Sequence, residues 1–154
     1  MGGNMEEREK KIYVSLYKKD GLSYSLTLMA IAAELLYVIS ILDVMEVSFW
    51  MGFTVMINIG ILFSLFTCAV KMNIYEKKLA IAALGLAVYM VFRQLVLIPL
   101  VLKPYDRQML ISAANVTGAC LLSAAGCISY YRYDRRQKLQ EKLDQTGEGQ
   151  KAGD

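Results

Sequence analysis

Four apolar stretches fill most of this 154-residue chain, at residues 22–42, 49–70, 79–102 and 109–130. About 20 apolar residues are needed for a helix to cross a hydrocarbon core about 30 Å thick, and each stretch has that length. The chain is 56% hydrophobic with a mean hydropathy of +0.37. Helices that are apolar on every side require lipid rather than water around them. We therefore predict an all-α integral membrane protein, a four-transmembrane-helix bundle.

Basic residues predict the topology, because Lys and Arg accumulate on the cytoplasmic side of short connections. Three segments lie on one side if the chain crosses four times, and they contain Arg8, Lys10, Lys11, Lys18, Lys19, Lys71, Lys77, Lys78, Arg132, Arg135, Arg136, Lys138, Lys142 and Lys151. The opposite side has only Lys103 and Arg107. Both termini are predicted to be cytoplasmic, in a plasma membrane or a bacterial inner membrane.

The spans divide the chain into three parts. Residues 1–21 are predicted to form a cytoplasmic amphipathic arm, residues 22–130 the bundle, and residues 131–154 a basic cytoplasmic tail that is disordered after about residue 145. Four basic residues of the tail are expected to meet anionic lipid headgroups: Arg132, Arg135, Arg136 and Lys138. Both outer connections have about six residues, so a partner protein must use the bundle faces or the cytoplasmic ends.

The composition argues against catalysis and against a bound metal or cofactor. The chain has no histidine, which excludes histidine-ligated haem or zinc and the usual general base of hydrolases. Its three cysteines fall inside spans without a C-x-x-C pair. A net charge of +3 at the membrane surface does not favour nucleic-acid binding. We predict a protein that is not an enzyme and has no cofactor.

Charged and amide side chains inside the spans are the candidate functional residues. Glu34 in the first span and Arg93 in the third each cost about 2.5 to 3.5 kcal/mol near the bilayer centre unless they are paired or face water. At 1.5 Å per residue they lie about 3 Å and about 4 Å outward of their span midpoints, so they can meet. Asn58 and Asn115 fall on the same side of the midplane. These four residues are predicted to form one polar layer.

Helical spacing predicts which face of each span points inward. The predicted inner faces are Ser23, Thr27, Ala30, Glu34 and Tyr37; Thr54, Asn58, Ile61, Ser64 and Cys68; Ala82, Gly85, Tyr89 and Arg93; and Asn115, Ala119, Ser123 and Cys127. Tyr37 and Tyr89 are therefore candidates to line the polar layer. The fourth span is rich in small residues, and Gly118, Ala119 and Ser123 are predicted to pack either within the bundle or against a second copy or partner.

Two interpretations of the polar layer follow from these residues. In the first, Glu34 and Arg93 form a structural ion pair that fixes helix register. In the second, Glu34 binds a proton or a cationic substrate and Arg93 tunes it. Four helices with Ala33 and Glu34 in the first resemble the layout of small multidrug-resistance exporters, which work as dimers, although the N-terminal arm, the greater length and Arg93 differ from that family.

From these patterns we predict a small polytopic membrane protein that acts without catalysis as a subunit or accessory protein of a membrane complex. The alternative is a small homodimeric exporter or ion-coupled carrier that uses Glu34 and Arg93. In either case the partners are the lipid bilayer and another membrane protein or a second copy of the chain.

Overall fold

The computed structural model describes residues 20–45, 47–72, 77–101 and 108–151. Its helices are α1 (Gly21–Leu42), α2 (Phe49–Met72), α3 (Lys77–Phe92), a π-helical turn (Arg93–Leu97), α4 (Ile98–Val101) and α5 (Gln108–Lys151). Four segments are long and apolar enough to cross a membrane: Gly21–Leu42, Phe49–Lys71, Lys77–Val96 and Gln108–Lys142. The prediction of an all-α bundle of four such helices is confirmed. The predicted amphipathic arm lies outside the described residues, apart from Asp20 and Gly21.

The connection between α1 and α2 begins with a tight turn. The backbone N–H groups of Asp43 and Met45 donate to the carbonyl oxygens of Ile39 and Ile41, at 3.3 and 3.0 Å. These bonds use carbonyls that the end of a helix would otherwise leave unpaired. Ser48 then accepts a hydrogen bond from the backbone N–H of Met51 at the start of α2, at 3.3 Å. The short loop therefore forces α1 and α2 to run antiparallel as neighbours.

Helix α5 makes the most extensive contacts with the other spanning helices. It contacts both α1 and α3 along much of their length, whereas α2 packs against α1 and touches α3 more sparsely. Small side chains make the close approach possible, since helix association in lipid depends on van der Waals contact. The larger apolar cluster contains Ala30, Ile61, Leu65, Cys68, Ala83, Ala87, Met90, Ala119, Leu122 and Ala125. A smaller cluster contains Tyr37, Ile41, Ile98, Ile111 and Ala114.

All five residues that were predicted for the inner face of α1 are buried, and Ser40 and Ile41 are buried as well. The inner face predicted for the third span is correct only in part, since Arg93 is buried and Tyr89 is half-buried. Ala82 and Gly85 are exposed, and Ala80, Ala83, Ala87 and Met90 are buried instead. Small residues lie on several sides of this helix, so residue size did not distinguish the face that α5 contacts. Which of these small residues are buried is determined by the contact with α5.

The inner faces of α2 and α5 were predicted correctly in part. In α2, Asn58, Ile61 and Cys68 are buried, but Ser64 is exposed and Leu65 takes the inward position. In α5, Asn115 and Ala119 are buried, Ser123 is half-buried, and Cys127 is exposed. The exact four-residue steps of the α5 series drift around an α-helix, which has 3.6 residues per turn, so its last member, Cys127, leaves the inner face.

The third and fourth spans were predicted over residues 79–102 and 109–130. Along the third, α3 ends at Phe92, and the π-helical turn and α4 continue the helical course to Val101. The predicted disorder after about residue 145 differs from the structure, in which α5 continues to Lys151. Residues 131–145 are rich in strong helix formers, and Lys138 pairs with Asp134 at 2.8 Å across one turn. Extending an existing helix also costs less than starting a new one.

Gly126 lies at a close approach between α5 and α3. A Cβ atom added at Gly126 would lie 2.9 Å from Cγ of Leu84 and 3.2 Å from the backbone oxygen of Ala80. At Gly118, the added atom would lie 3.6 Å from Cβ of Ala33 and 3.7 Å from the sulfur of Met90. The first spacing is too short for a side chain, whereas the second is ordinary van der Waals contact.

Replacing Gly126 with Ala should therefore destabilise the bundle by about 1 to 3 kcal/mol, the usual cost of overpacking. Gly118→Ala is the matched control on the same helix. It should leave stability unchanged or raise it slightly, because Ala favours the helix over Gly. Reversible unfolding in mixed micelles measures both. Equal effects of the two substitutions would contradict this account of the α3–α5 contact.

Candidate functional site

A buried ion pair joins α1 to the start of the π-helical turn. Arg93 donates from Nη1 to Oε1 of Glu34 at 2.7 Å and from Nη2 to Oε2 at 2.6 Å. Arg93 is 2% exposed and Glu34 is 1% exposed. Two parallel hydrogen bonds of this kind fix the relative orientation of a guanidinium and a carboxylate as well as their separation. The pair therefore connects the first and third spans in one defined geometry.

Two amides accept the remaining hydrogen bonds of Arg93. Nη1 donates to Oδ1 of Asn58 at 2.9 Å, while Nε and Nη2 donate to Oδ1 of Asn115, with Nε at 2.8 Å. A guanidinium has five N–H groups, and all five donate to oxygen atoms of Glu34, Asn58 and Asn115. Arg93, Glu34, Asn58 and Asn115 thus form the polar layer, which takes one residue from each of the four spanning helices.

The amide nitrogens of the layer also have partners. Nδ2 of Asn115 donates to the backbone oxygen of Met90 at 2.9 Å and to Oε1 of Gln94 at 3.1 Å. Nδ2 of Asn58 donates to the backbone oxygen of Thr54 at 2.9 Å. In the described part of the chain, every fully buried side-chain nitrogen or oxygen has a hydrogen-bond partner. The layer therefore satisfies itself from within the protein.

Two tyrosine rings flank the Arg93 guanidinium. The central carbon of the guanidinium lies 3.6 Å from the ring centroid of Tyr37 and 6.0 Å from that of Tyr89. The face of an aromatic ring attracts a cation, most strongly where water is excluded. Tyr37 is buried and Tyr89 is half-buried. The structure thus places both candidate lining residues beside the layer, with Tyr37 stacked on it.

Charge balance explains how this layer can exist inside an apolar bundle. One carboxylate and one guanidinium sum to zero, and each alone would be costly at this depth. A pair whose hydrogen bonds are all formed recovers much of the desolvation cost, whereas loss of one partner leaves an uncompensated charge. The layer therefore tolerates no single neutralisation without a large penalty.

A cavity of about 230 Å³ lies against the layer, between α1, α2 and α3. Its polar end is formed by Tyr37, Asn58, Tyr89 and Arg93. Its other walls are formed by Ile41, Trp50, Phe53, Thr54, Ile57 and Ile98. The sequence pattern gave no sign of this space, because it results from the sparse contact between α2 and α3.

A second ion pair, which the sequence pattern did not indicate, lies at the start of α1. Asp20 is fully buried and caps α1, accepting hydrogen bonds from the backbone N–H of Ser23 at 3.2 Å and from its hydroxyl at 2.7 Å. Nη1 of Arg132 donates to the same carboxylate. Arg132, which is also expected to meet lipid headgroups, thereby ties the start of α1 to α5. These residues are 112 positions apart, so local spacing could not reveal the pair.

The other predicted residues lie apart from the polar layer. Gly118 and Ala119 are buried in the bundle, and half-buried Ser123 donates to the backbone oxygen of Ala119 at 2.7 Å. Along the C-terminal part of α5, Arg135 is exposed, Arg136 is half-buried and Lys138 pairs with Asp134. Among the described residues, no group of three or more His, Cys, Asp or Glu side chains is arranged to hold a metal ion.

Four apolar helices of this length are compatible with a small multi-pass membrane protein. Comparison with protein-family models, curated proteins and solved structures finds no match to this chain. Its function is therefore inferred from the polar layer, the adjoining cavity and the arrangement of the helices.

Removal of the Asp20 carboxylate tests the second ion pair. Asp20→Ala should destabilise the bundle by about 1 to 2 kcal/mol, because it removes a helix cap and leaves Arg132 without its acceptor. Asp134→Ala is the control, since it breaks an exposed pair within one helix and should change stability little. Thermal unfolding in detergent compares them. A cost at Asp20 no greater than at Asp134 would contradict the assigned role.

Proposed function

We propose that this protein acts without catalysis as a small subunit or accessory protein of a membrane complex, with both termini in the cytoplasm. The observation that carries the proposal is the closure of the polar layer. All five N–H groups of Arg93 and both oxygens of Glu34 bind other side chains of the same bundle. A layer whose groups already satisfy each other is suited to holding four helices in register.

The same closure argues against an active site. Catalytic carboxylates need access to substrate and a second reacting group. Glu34 is held by two short hydrogen bonds from Arg93 and is 1% exposed. The chain also has no histidine to act as a general base near neutral pH.

Helix α5 supplies a natural docking element for a cytoplasmic partner. From residue 131 to Lys151 it continues beyond the predicted end of the span, which at 1.5 Å per residue makes a rod about 30 Å long. Arg132 anchors the base of this rod to buried Asp20. A helix fixed at its base projects a defined surface away from the bilayer, which favours a role in assembly. The excess of basic residues at this end supports its cytoplasmic location in a plasma or bacterial inner membrane.

One observation favours the alternative function of a homodimeric exporter or ion-coupled carrier. The cavity reaches Arg93 and Asn58 from the side of the bundle where α2 and α3 separate. In that case Glu34 would exchange Arg93 for a proton or a cationic substrate during transport. Neutralising Glu34 would then abolish coupling in a protein that still folds, whereas the structural role requires that folding itself suffer.

Native mass spectrometry of the chain, extracted with its neighbours in mild detergent, tests the proposal. A green fluorescent protein fused to the C terminus serves for purification and, when the protein is produced in a bacterial inner membrane, for topology, because a copy exported unfolded to the periplasm does not fluoresce. We expect a fluorescent fusion that carries a foreign chain in fixed stoichiometry. A fusion to a form ending at Lys138 is the matched control, and it should lose the partner while keeping the bundle.

A clean homodimer with no foreign chain would contradict the accessory role and make the carrier the better account. An intact complex with the shortened form would contradict docking through α5. A non-fluorescent fusion would contradict the cytoplasmic C terminus.

A further inference from the structure

We propose that the cavity between α1, α2 and α3 is a binding site for a neutral, lipid-soluble molecule with an oxygen-bearing ring, the chemical class of long-chain phenols and quinones. This inference is independent of a role in a complex, because it rests on the cavity and not on α5. Five features of the cavity support it: a polar group at the inner end that can bind a ligand, aromatic walls, a net charge of zero, a suitable volume and access from the bilayer.

The polar end of the cavity offers a hydrogen bond that the described part of the protein does not use. Tyr37 lines the cavity and is 2% exposed, yet its hydroxyl makes no hydrogen bond to a described residue. Every fully buried side-chain oxygen in the described part of the chain has a partner, so the Tyr37 oxygen is one that the cavity reaches. A ligand oxygen placed there can accept the hydroxyl proton of Tyr37, and burying that hydroxyl unpaired would be costly.

The walls of the cavity favour a ring over an alkyl chain. Tyr37, Trp50, Phe53 and Tyr89 contribute four aromatic side chains, and Ile41, Ile57 and Ile98 contribute branched aliphatic ones. Aromatic rings gain from edge-to-face and offset contacts with one another beyond the area they bury. A planar ring can make such contacts on both faces, whereas a saturated chain cannot.

The charge of the site favours a neutral ligand. Glu34 and Arg93 balance each other, and Arg93 has no N–H group left to bind an anion. The carboxylate of Glu34 is equally occupied and does not line the cavity. An ion entering this cavity would lose its hydration without gaining a counter-charge. A neutral molecule with one or two oxygens avoids this cost.

Size and access agree with a ring whose tail remains in lipid. A dry cavity of about 150 Å³ is enough to bind benzene, and this one has about 230 Å³. Trp50 and Phe53 are 70% and 52% exposed, so the cavity rim belongs partly to the surface that faces lipid. A ligand can therefore enter sideways from the bilayer between α2 and α3, leaving its alkyl tail outside.

Trp50 makes the site measurable, because it is the single tryptophan of the chain and lines the cavity. The probes are a decyl bromophenol and the matching decyl bromobenzene, which carry the same quencher and tail but differ in the hydroxyl group. They are titrated into the protein in nanodiscs at slightly acidic pH, where the phenol is neutral. We expect saturable quenching of Trp50 by the phenol and only weak, unsaturated quenching by the bromobenzene.

Two pairs of variants locate the binding. Tyr37→Phe keeps the ring that stacks on Arg93 but removes the hydroxyl, and should weaken phenol binding about 3- to 10-fold, the value of one neutral hydrogen bond. Tyr131→Phe is its exposed control. Thr54→Leu fills the cavity and should abolish saturation. Thr67→Leu is its control, because the hydroxyl of Thr67 lies on an exposed face. Both threonine hydroxyls donate to the backbone oxygen four residues earlier, at 2.8 Å for Thr54 and 2.9 Å for Thr67.

Unsaturated quenching by both probes, equal in all variants, would show partition into the bilayer only and would overturn the proposal. Saturable but equal binding of both probes would show an apolar site for an alkyl or aryl group and would overturn the assigned chemistry. If Tyr37→Phe does not fold, the comparison of Thr54→Leu with Thr67→Leu decides the location alone. These outcomes leave the accessory role untouched, because that role is measured by the co-purified chain.

Discussion

The bidentate ion pair between Glu34 and Arg93 is the interaction on which the rest of this structure depends. Either charge alone would be costly in the middle of an apolar bundle, so the two side chains must meet if the helices are to pack at all. Asn58 and Asn115 then accept the remaining guanidinium protons, at 2.9 Å and 2.8 Å. Because each residue comes from a different spanning helix, one set of hydrogen bonds fixes the axial position of all four.

The packing on either side of this layer follows from it. On one side, Ala30, Ala83, Ala87 and Ala119 allow close contact among α1, α3 and α5; on the other, a smaller cluster around Tyr37, Ile98 and Ile111 completes the bundle. Helix α2 touches α3 only sparsely, and the cavity lies in that gap. The π-helical turn begins at Arg93 itself. Such turns often occur at functional positions in helices, where they alter which way side chains point.

The sequence predicts the axial positions in this bundle better than the rotations of its helices. Apolar length defines the spans, and a fixed rise per residue then places Glu34 and Arg93 at similar depth. Rotation requires a contrast between helix faces, and α3 offers little, because exposed Ala82 and Gly85 are as small as buried Ala83 and Ala87. The pair of Asp20 with Arg132 was equally hidden, since it forms only once α5 packs beside α1. Continuation of α5 to Lys151 was missed because Gly147 and Gly149 indicated disorder.

The most direct test of this account is a double-mutant cycle between Glu34 and Arg93, measured by reversible unfolding in bilayers with Glu34→Gln, Arg93→Gln and the double variant. The account predicts that each single substitution costs about 3 kcal/mol or more, because it leaves a buried charge or its partners unpaired. The double variant should cost less than the sum by at least about 1 kcal/mol. Strictly additive effects, or single variants as stable as the parent chain, would show that the pair does not hold the bundle together.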